Sequence, residues 1–501
     1  MLNMHGKDNN QHQRIATDSF VLTFVRIVTL SVSIVQTMIL SRILSTNEYG
    51  TYSEALLIIS FLAPFFSLGL TDSINYFFNK TEEKGIRNSY ISTIFGLSII
   101  AGGFGGLMII LLRNSIALYF GNTSILPLVV YIAFRPCLQN IIALYQPLYI
   151  SNNFAKAIAI RNLLVSVSQI AIVGIVALLT NSLVLIFELL LLLDLVQIVL
   201  FALFYNKKCD PIRLSGFSIE LIKPILRFAI PMLLATSIST INLSMDKLMI
   251  SKFMTVEDYA LYANMGKELP FSFVISSFTV VVTPVVVKLL AEKDSENFRK
   301  LWANYLEIGY LLTWPLCVGA IVVAPLLIEV LYSKTYLTDV GVSIFRIYSI
   351  VAMFRFTYFG MIPSALGKTK IVFKYSLIGM IINLLLNYLL FQLFGMLGPS
   401  IATLISMFVS ATLYFRKSLR LVNLRFFEIV SIKRLIDVLL IMALGTVSVC
   451  SIDYASQYIT NNVFIRLLFE YLVFVAICYG LSHKRIRSLI SNMNHLRGIH
   501  S

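Results

Sequence analysis

The sequence predicts an all-α polytopic membrane protein with about 14 transmembrane helices. These form two pseudo-symmetric six-helix lobes, with two further helices at the C-terminal end. Three observations support this prediction: an unusually apolar composition, apolar runs long enough to cross a bilayer, and a short segment that occurs twice. Of the 501 residues, 58% are hydrophobic and 13% are charged, whereas a soluble domain is nearer half apolar and a quarter charged. We therefore expect that lipid surrounds most of the chain.

The individual spans follow from length and turn signals. A helix needs about 20 apolar residues to cross the hydrocarbon core, and every crossing must be helical because lipid offers the backbone no hydrogen-bond partners. Turn signals such as Gly121-Asn122 and Asn461-Asn462 separate neighbouring apolar runs. The predicted spans lie near 18–41, 49–78, 89–112, 125–150, 158–180, 183–205, 225–251, 259–290, 303–332, 341–366, 374–394, 397–415, 436–452 and 464–482.

The distribution of basic residues indicates how the predicted spans are oriented in the membrane. With both termini in the cytoplasm, the inside segments hold 29 of the 40 Lys and Arg residues, the outside segments hold five, and six lie within spans. Such an excess is the positive-inside pattern of membrane proteins. Since the basic residues are divided among eight short segments, nucleic acid is not an expected partner. We expect a multi-pass protein of the plasma (inner) membrane.

The two longest inside connections, 206–224 and 416–435, are predicted to be interfacial helices on the cytoplasmic side. In the second of them, Leu421, Leu424, Ile429 and Ile432 recur at near-helical spacing among basic residues, which is typical of a helix in the headgroup region. The predicted organisation is an N-lobe (1–205), an interfacial linker (206–224), a C-lobe (225–415), an interfacial segment (416–435), and two last helices with a cytoplasmic tail (436–501).

A repeated segment relates the two lobes. SRILSTNEYGTYSEA (41–55) aligns with SKFMTVEDYALYANM (251–265) at an offset of 210 residues, with identities at Ser41, Tyr49 and Tyr52. The offset covers six spans, an even number, so both copies have the same orientation. A fainter echo relates the turns that follow spans 4 and 10. Internal repeats of this kind are typical of transporters in which the substrate site lies between the halves.

With this repeat and the segments SRILSTNEYGTYS and LGLTDSINYFF, the chain resembles the polysaccharide-exporting branch of the multidrug/oligosaccharidyl-lipid/polysaccharide exporter superfamily, and most closely a Wzx-type O-antigen flippase. The resemblance covers nearly the whole chain. It implies a MATE-like fold with a V-shaped cavity between the lobes, and undecaprenyl-diphosphate-linked oligosaccharide as cargo. A polysaccharide polymerase and a chain-length regulator become candidate protein partners, beside the lipid bilayer itself.

Charges inside spans are costly and therefore indicate a pathway, and a diphosphate cargo calls for cations. The candidate cavity cations are Arg26, Arg135, Lys267 and Arg355. Arg26 and Lys267 form the leading pair, since spans 1 and 8 carry cavity cations in the lipid II flippase relatives. Alternatives remain open: Arg26 could extend to the headgroups, Lys267 could pair with a neighbouring acid, and Arg135 could bond carbonyls freed at a proline kink.

Acidic residues in the spans are candidates for ion pairing or for coupling. They are Asp72, Glu188, Asp194 and Asp246. Asp194 lies mid-span in LLLLLDLVQ, where it either pairs with an arginine or cycles a proton. Pro270 and three other prolines of the C-lobe spans are candidate bend points. No metal and no organic cofactor is expected, because the five Cys show no metal-ligand spacing, while coupling to an H⁺ or Na⁺ gradient remains open.

Two other functions are alternatives to the export of lipid-linked sugar. A drug or cation antiporter of the same fold would need acidic residues to dominate its cavity. A membrane enzyme, such as an O-antigen polymerase, would need a sizeable outer loop and a catalytic constellation, and the sequence has neither. The expected function is therefore a non-enzymatic flippase.

Overall fold

The computed structural model describes Val25 and residues 28–81, 83–152, 154–180, 182–209, 211–267, 271–459 and 461–498. Over these residues the chain forms helices and turns, without a β-strand. The α-helices are α1 (Val28–Ile43), α2 (Thr46–Ser67), α3 (Leu70–Lys80), α4 (Lys84–Leu111), α5 (Arg113–Phe120), α6 (Val129–Ser151), α7 (Ala155–Leu179), α8 (Leu183–Lys208), α9 (Ile222–Phe253), α10 (Val256–Met265), α11 (Ser272–Ala291), α12 (Ser295–Val322), α13 (Ala324–Leu331), α14 (Asp339–Phe354), α15 (Met361–Ala365), α16 (Thr369–Phe394), α17 (Leu397–Leu421), α18 (Phe426–Ile429), α19 (Ile432–Ile459) and α20 (Val463–Gly498).

The prediction of an all-α polytopic protein is confirmed. Among the described residues, 11 helical segments are long and apolar enough to cross a membrane, and α1 and residues Val282–Ala291 form shorter apolar helices. The predicted count of 14 spans stays a prediction. Several predicted spans are interrupted helices: span 2 is divided into α2 and α3, span 8 into α10 and α11, and span 10 into α14 and α15.

The helix bounds repeat along the chain, which confirms the internal repeat. The pair α4 and α5 and the pair α12 and α13 have the same lengths, 28 and 8 residues, and each helix of the second pair begins 211 residues after its counterpart. Likewise α16 and α17 begin 214 residues after α7 and α8. Because whole helices recur in order, the similarity found in two short turns extends over most of both lobes.

The described residues divide into two compact units, Met1–Ala260 and Leu261–Ser501. The first has an aromatic-rich core in which Tyr145 and Tyr149 of α6 pack with Phe201 of α8. The second has a core centred on α12, where Tyr305 and Leu301 are fully buried. In lipid, close packing of such side chains contributes to the association of the helices of each unit.

Large apolar side chains remain exposed along the outer faces of many helices. Leu178 and Leu179 of α7 are 72% and 78% exposed, and Leu393 of α16 is 72% exposed. A soluble monomer does not leave so many leucines in water. These faces are therefore the surfaces that the hydrocarbon of a bilayer covers.

The connecting segments are less helical than predicted. The prediction of an interfacial helix over 206–224 is wrong between Cys209 and Leu221, where the described residues form only two short 3₁₀ turns. Pro211 and Gly216 in this stretch disfavour an α-helix. In 416–435, α17 extends to Leu421 and the short α18 precedes α19, because the chain turns at Asn423 with a φ of 55°.

The interruption between α2 and α3 has a clear local cause. Leu68 and Gly69 both have left-handed backbone angles, with φ of 48° and 69°. At Gly69 a Cβ atom would lie 2.4 Å from the carbonyl oxygen of Ala229 in α9. Only glycine fits both the positive φ and this close approach of α9.

Candidate functional site

Two of the predicted cavity cations lie where helices of the second unit are interrupted. Lys267 lies two residues beyond the end of α10, and its side chain is exposed. Arg355 is the C-terminal cap of α14, half-buried, and its backbone N–H donates to the carbonyl of Ala352 at 3.0 Å. Both cations thus stand on backbone that has left the helix within a predicted span.

Such an interruption has a physical consequence in a membrane. Non-helical backbone at membrane depth is tolerated only inside the protein or beside a water-filled cavity, because lipid cannot satisfy its N–H and C=O groups. Lys267 lies eight residues after the start of its predicted span at residue 259, about 12 Å along a helix axis. Lys267 is therefore predicted to lie well inside its span.

In the first unit the structure brings Arg135 and Asp194 together. Arg135 Nε donates to Asp194 Oδ2 at 3.2 Å, and the two side chains are only 7% and 4% exposed. Gln197 Nε2 donates to the other carboxylate oxygen at 3.1 Å. Since Asp194 neutralises Arg135, this arginine is not a free charge for a ligand.

Arg161 of α7 extends this network, and the sequence analysis counted it only among the inside cations. Its guanidinium donates to Gln197 Oε1 and, at 2.8 Å, to Asn162 Oδ1. It also lies over the ring of Phe201, with Cζ 5.3 Å from the centroid. Two arginines therefore share one carboxylate, directly or through Gln197, which leaves the cluster with a net charge of +1.

The remaining predicted residues are dispersed. Asp72 on α3 is exposed, Asp246 on α9 is buried, and the carboxylate of Glu188 accepts a hydrogen bond from Tyr131 Oη at 2.5 Å. Arg26 lies outside the described residues.

Glu54 is a buried acid that the sequence analysis missed. It lies on α2, has no exposed surface, and accepts hydrogen bonds from Asn122 Nδ2 at 2.7 Å and from Ser251 Oγ of α9. Asn122 also donates to Thr51 Oγ1 at 2.9 Å. Its position within predicted span 2 was sufficient to make Glu54 a candidate from the sequence. Its partners could not be predicted, because they come from distant parts of the chain.

In the second unit, Glu307 joins three helices. Its two carboxylate oxygens accept from Arg485 Nε at 2.6 Å and Arg485 Nη2 at 2.8 Å, and Arg434 adds a third bond. The bidentate fork fixes both the distance and the plane of the pair. Glu307 therefore anchors α19 and α20, the last two long helices, to α12.

The second unit also contains an apolar cavity of about 250 Å³, lined largely by aromatic rings that include Tyr310, Trp314, Phe356 and Phe408. Trp314 Nε1 donates to the carbonyl of Met353 at 3.0 Å, so its one polar group is satisfied. This cavity is unsuited to a charged diphosphate, because it offers no cation.

Sequence comparison relates the chain to known proteins. The sequence profile of a family described as polysaccharide biosynthesis protein matches residues 39–340, more than half of the chain. The capsular polysaccharide biosynthesis protein CapF of Staphylococcus aureus is 21% identical over 380 residues, which are 75% of this chain and 92% of that protein.

Structural comparison gives the fold. A structure of the lipid II flippase MurJ, in an inward closed conformation, has a TM-score of 0.73 with 16% identity, over 94% of this chain and 100% of that chain. A multidrug resistance transporter of the MATE family, inward-facing, has a TM-score of 0.63 with 14% identity, over 80% of this chain and 98% of that chain. The predicted MATE-like fold is thus confirmed.

Proposed function

The chain belongs to the polysaccharide biosynthesis protein family, and we propose that it is a flippase for undecaprenyl-diphosphate-linked oligosaccharide. It moves polysaccharide repeat units of the O-antigen or capsule type from the cytoplasmic to the outer leaflet of the plasma (inner) membrane. Both termini are cytoplasmic in this proposal. The transport is alternating access by two similar lobes, without an enzymatic step.

The observation that carries the proposal is the position of Lys267 and Arg355 at two interrupted helices. A diphosphate headgroup cannot cross hydrocarbon unaided, because its charges would lose their hydration. Cations placed where a helix is interrupted offer positive charge to phosphate oxygens. Interrupted helices that hold a charged substrate near the membrane midplane are a recurrent feature of transporters.

The buried arginines of the first unit have a supporting role in this proposal. The cluster of Arg135, Arg161 and Asp194 retains a net positive charge, which favours an anionic cargo over a cationic one. Coupling to an H⁺ or Na⁺ gradient belongs to the same proposal, with the buried acids Asp194 and Glu54 as candidates. A polysaccharide polymerase and a chain-length regulator are its proposed partners.

A second candidate function is a multidrug or cation antiporter, which the MATE-type fold favours. Such a transporter carries cations and would tolerate loss of Lys267. The two functions therefore differ in the charge of their cargo, and one pair of assays separates them.

The test uses purified full-length protein in liposomes. A fluorescent undecaprenyl-diphosphate oligosaccharide is placed in the membrane, and an impermeant quencher reports its movement between leaflets. We expect flipping by the unaltered protein, and its loss with Lys267→Ala or Arg355→Ala. Lys334→Ala is the matched control, because Lys334 is exposed and pairs with Glu329 at 3.3 Å.

Transport of a cationic dye without movement of the sugar lipid would favour the antiporter. Normal flipping by the Lys267→Ala, Arg355→Ala double variant would refute the role of these cations. Equal loss of flipping with Lys334→Ala would mean that charge removal harms the protein generally.

A further inference from the structure

A second polar cavity lies in the first unit, away from the interrupted helices. Its volume is about 560 Å³, and it lies where α4 begins and α8 ends. Four basic side chains line it: Lys84, Arg87, Lys207 and Lys208. In the proposed topology this end of the unit faces the cytoplasm.

The described residues that line this cavity give it a positive charge. Its lining holds four cations and no Asp or Glu. Among the described parts of the chain, none of the four forms a salt bridge. Elsewhere in the protein, the buried Arg135 has a carboxylate partner. Like charges that line one cavity repel one another, and an anion between them relieves that repulsion.

Arg87 is held in a fixed plane. Its Cζ lies 4.8 Å from the ring centroid of Phe78, a cation–π contact. Its Nε is buried and has no hydrogen-bond partner. An unsatisfied charged N–H inside a protein is costly, and a guanidinium donates in the fork geometry that suits two phosphate oxygens. The side chain is therefore arranged for a ligand that the protein itself does not supply.

The start of α4 adds to the positive potential. Lys84 is the first residue of this 28-residue helix, and the side chain of the preceding Glu83 makes no capping bond. The first backbone N–H groups of a helix lack intrahelical partners and attract anions. Asn88 and Asn152, which also line the cavity, supply amide groups.

We propose that this cavity is a binding site for a phosphate-bearing anion. The positive-inside bias accounts for basic residues on a cytoplasmic face, but such residues are usually solvated and separate. Here four of them line one cavity beside a helix start, and one of the four, Arg87, lies over the ring of Phe78. The chemistry fits a phosphodiester lipid headgroup or a free diphosphate.

The test measures binding without transport, so it stands or fails independently of the proposed function. Full-length protein is placed in nanodiscs of phosphatidylcholine, and its thermal unfolding is followed during titration with inorganic diphosphate. A second arm replaces part of the phosphatidylcholine with phosphatidylglycerol and omits diphosphate. A rise in Tm in the first arm identifies a free phosphate ligand, and a rise only in the second identifies a lipid headgroup.

In the double variant Arg87→Gln, Lys208→Gln, the affinity for the ligand that raises Tm should fall by about tenfold or more. Lys368→Gln, Lys370→Gln is the matched control, with the same change of charge on exposed residues of the second unit. Lys208→Gln alone changes an exposed residue and should not impair folding. It therefore tests ligand binding even if the double variant fails to fold. No rise in Tm in either arm, or an equal rise in the variant and the control, would overturn the proposal.

Discussion

Asn47 Nδ2 donates a 2.7 Å hydrogen bond to Glu257 Oε1, and these two residues are 210 positions apart, the offset of the internal repeat. Equivalent positions in the two copies of the repeated segment are thus in direct contact. The burial pattern is also repeated: Ser41, Tyr49 and Gly50 are buried, as are the residues 210 positions later. The repeated turns therefore serve partly to bind one another.

The two copies of the repeated segment also contain the same capping interaction at a helix N-terminus. Ser45 and Glu48 form a reciprocal capping box at the start of α2. Thr255 and Asp258 make the equivalent bonds at the start of α10, with Thr255 Oγ1 2.8 Å from Asp258 Oδ2 and the Asp258 N–H 3.1 Å from Thr255 Oγ1. The sequence similarity thus reflects a capping requirement.

The Asn47–Glu257 contact predicts a pH-dependent effect. The hydrogen bond from Asn47 holds the pKa of the exposed Glu257 carboxyl below its usual range, so the contact stabilises at neutral pH and is lost as the pH falls below about 4. Asn47→Asp should place two carboxylates together and lower Tm by about 1–2 °C at pH 7, with recovery near pH 4.5. Asn47→Ser is the uncharged control, and its Tm difference from the unaltered protein should vary less with pH. Thermal unfolding at both pH values measures this, and an equal deficit at both would contradict it.

In the cluster around Glu54, we expect stability to depend more on the shape and hydrogen bonds of the side chain than on its charge. Glu54→Gln can still accept from Asn122 and can donate to Ser251, so its stability should be close to that of the unaltered protein. Glu54→Leu leaves the buried Ser251 hydroxyl without its partner, at a cost of about 1–3 kcal/mol. Chemical denaturation of the purified variants compares them. If both variants unfolded alike, the hydrogen bonds would be unimportant.

The Arg135–Asp194 pair predicts strong coupling between its members. Arg135→Ala leaves a buried carboxylate without its main partner and should destabilise by about 3–5 kcal/mol. The double variant Arg135→Ala, Asp194→Ala should be less destabilised than the sum of the two single variants. A double-mutant cycle on unfolding free energies measures the coupling, and simple additivity would count against the pair. Arg346→Ala, at an exposed site, is the control.

The ion pairs of Glu307 are expected to hold α19 and α20 against α12. Glu307→Ala should free Arg434 and Arg485, and hydrogen exchange in residues 432–452 and 463–493 should rise more than in α16. Glu296→Ala is the matched control on the same helix, since Glu296 forms only an exposed pair with Lys300. An unchanged exchange pattern for Glu307→Ala would show that apolar packing alone holds α19 and α20.

Some signals for the interrupted helices were present in the sequence. Gly266 and Pro270 flank Lys267, and Gly360 and Pro363 follow Arg355. Glycine and proline weaken a helix, yet many prolines bend a helix without ending it. Pro231, for example, lies inside the continuous α9. Whether backbone leaves a helix depends on neighbouring segments that satisfy its N–H and C=O groups, and these are not local in sequence.

By itself, the sequence determined the membrane class and the repeat, and it predicts Lys267, Arg135, Arg355 and Asp194 as charges within spans. Those conclusions depend on hydropathy and periodicity, which are local properties. Only the tertiary structure decided that Asp194 neutralises Arg135, 59 residues away, and that Glu54 meets Ser251, 197 residues away. A buried charge is stable only with a partner, and the choice of partner follows from helix packing, because any of several distant side chains could have supplied it.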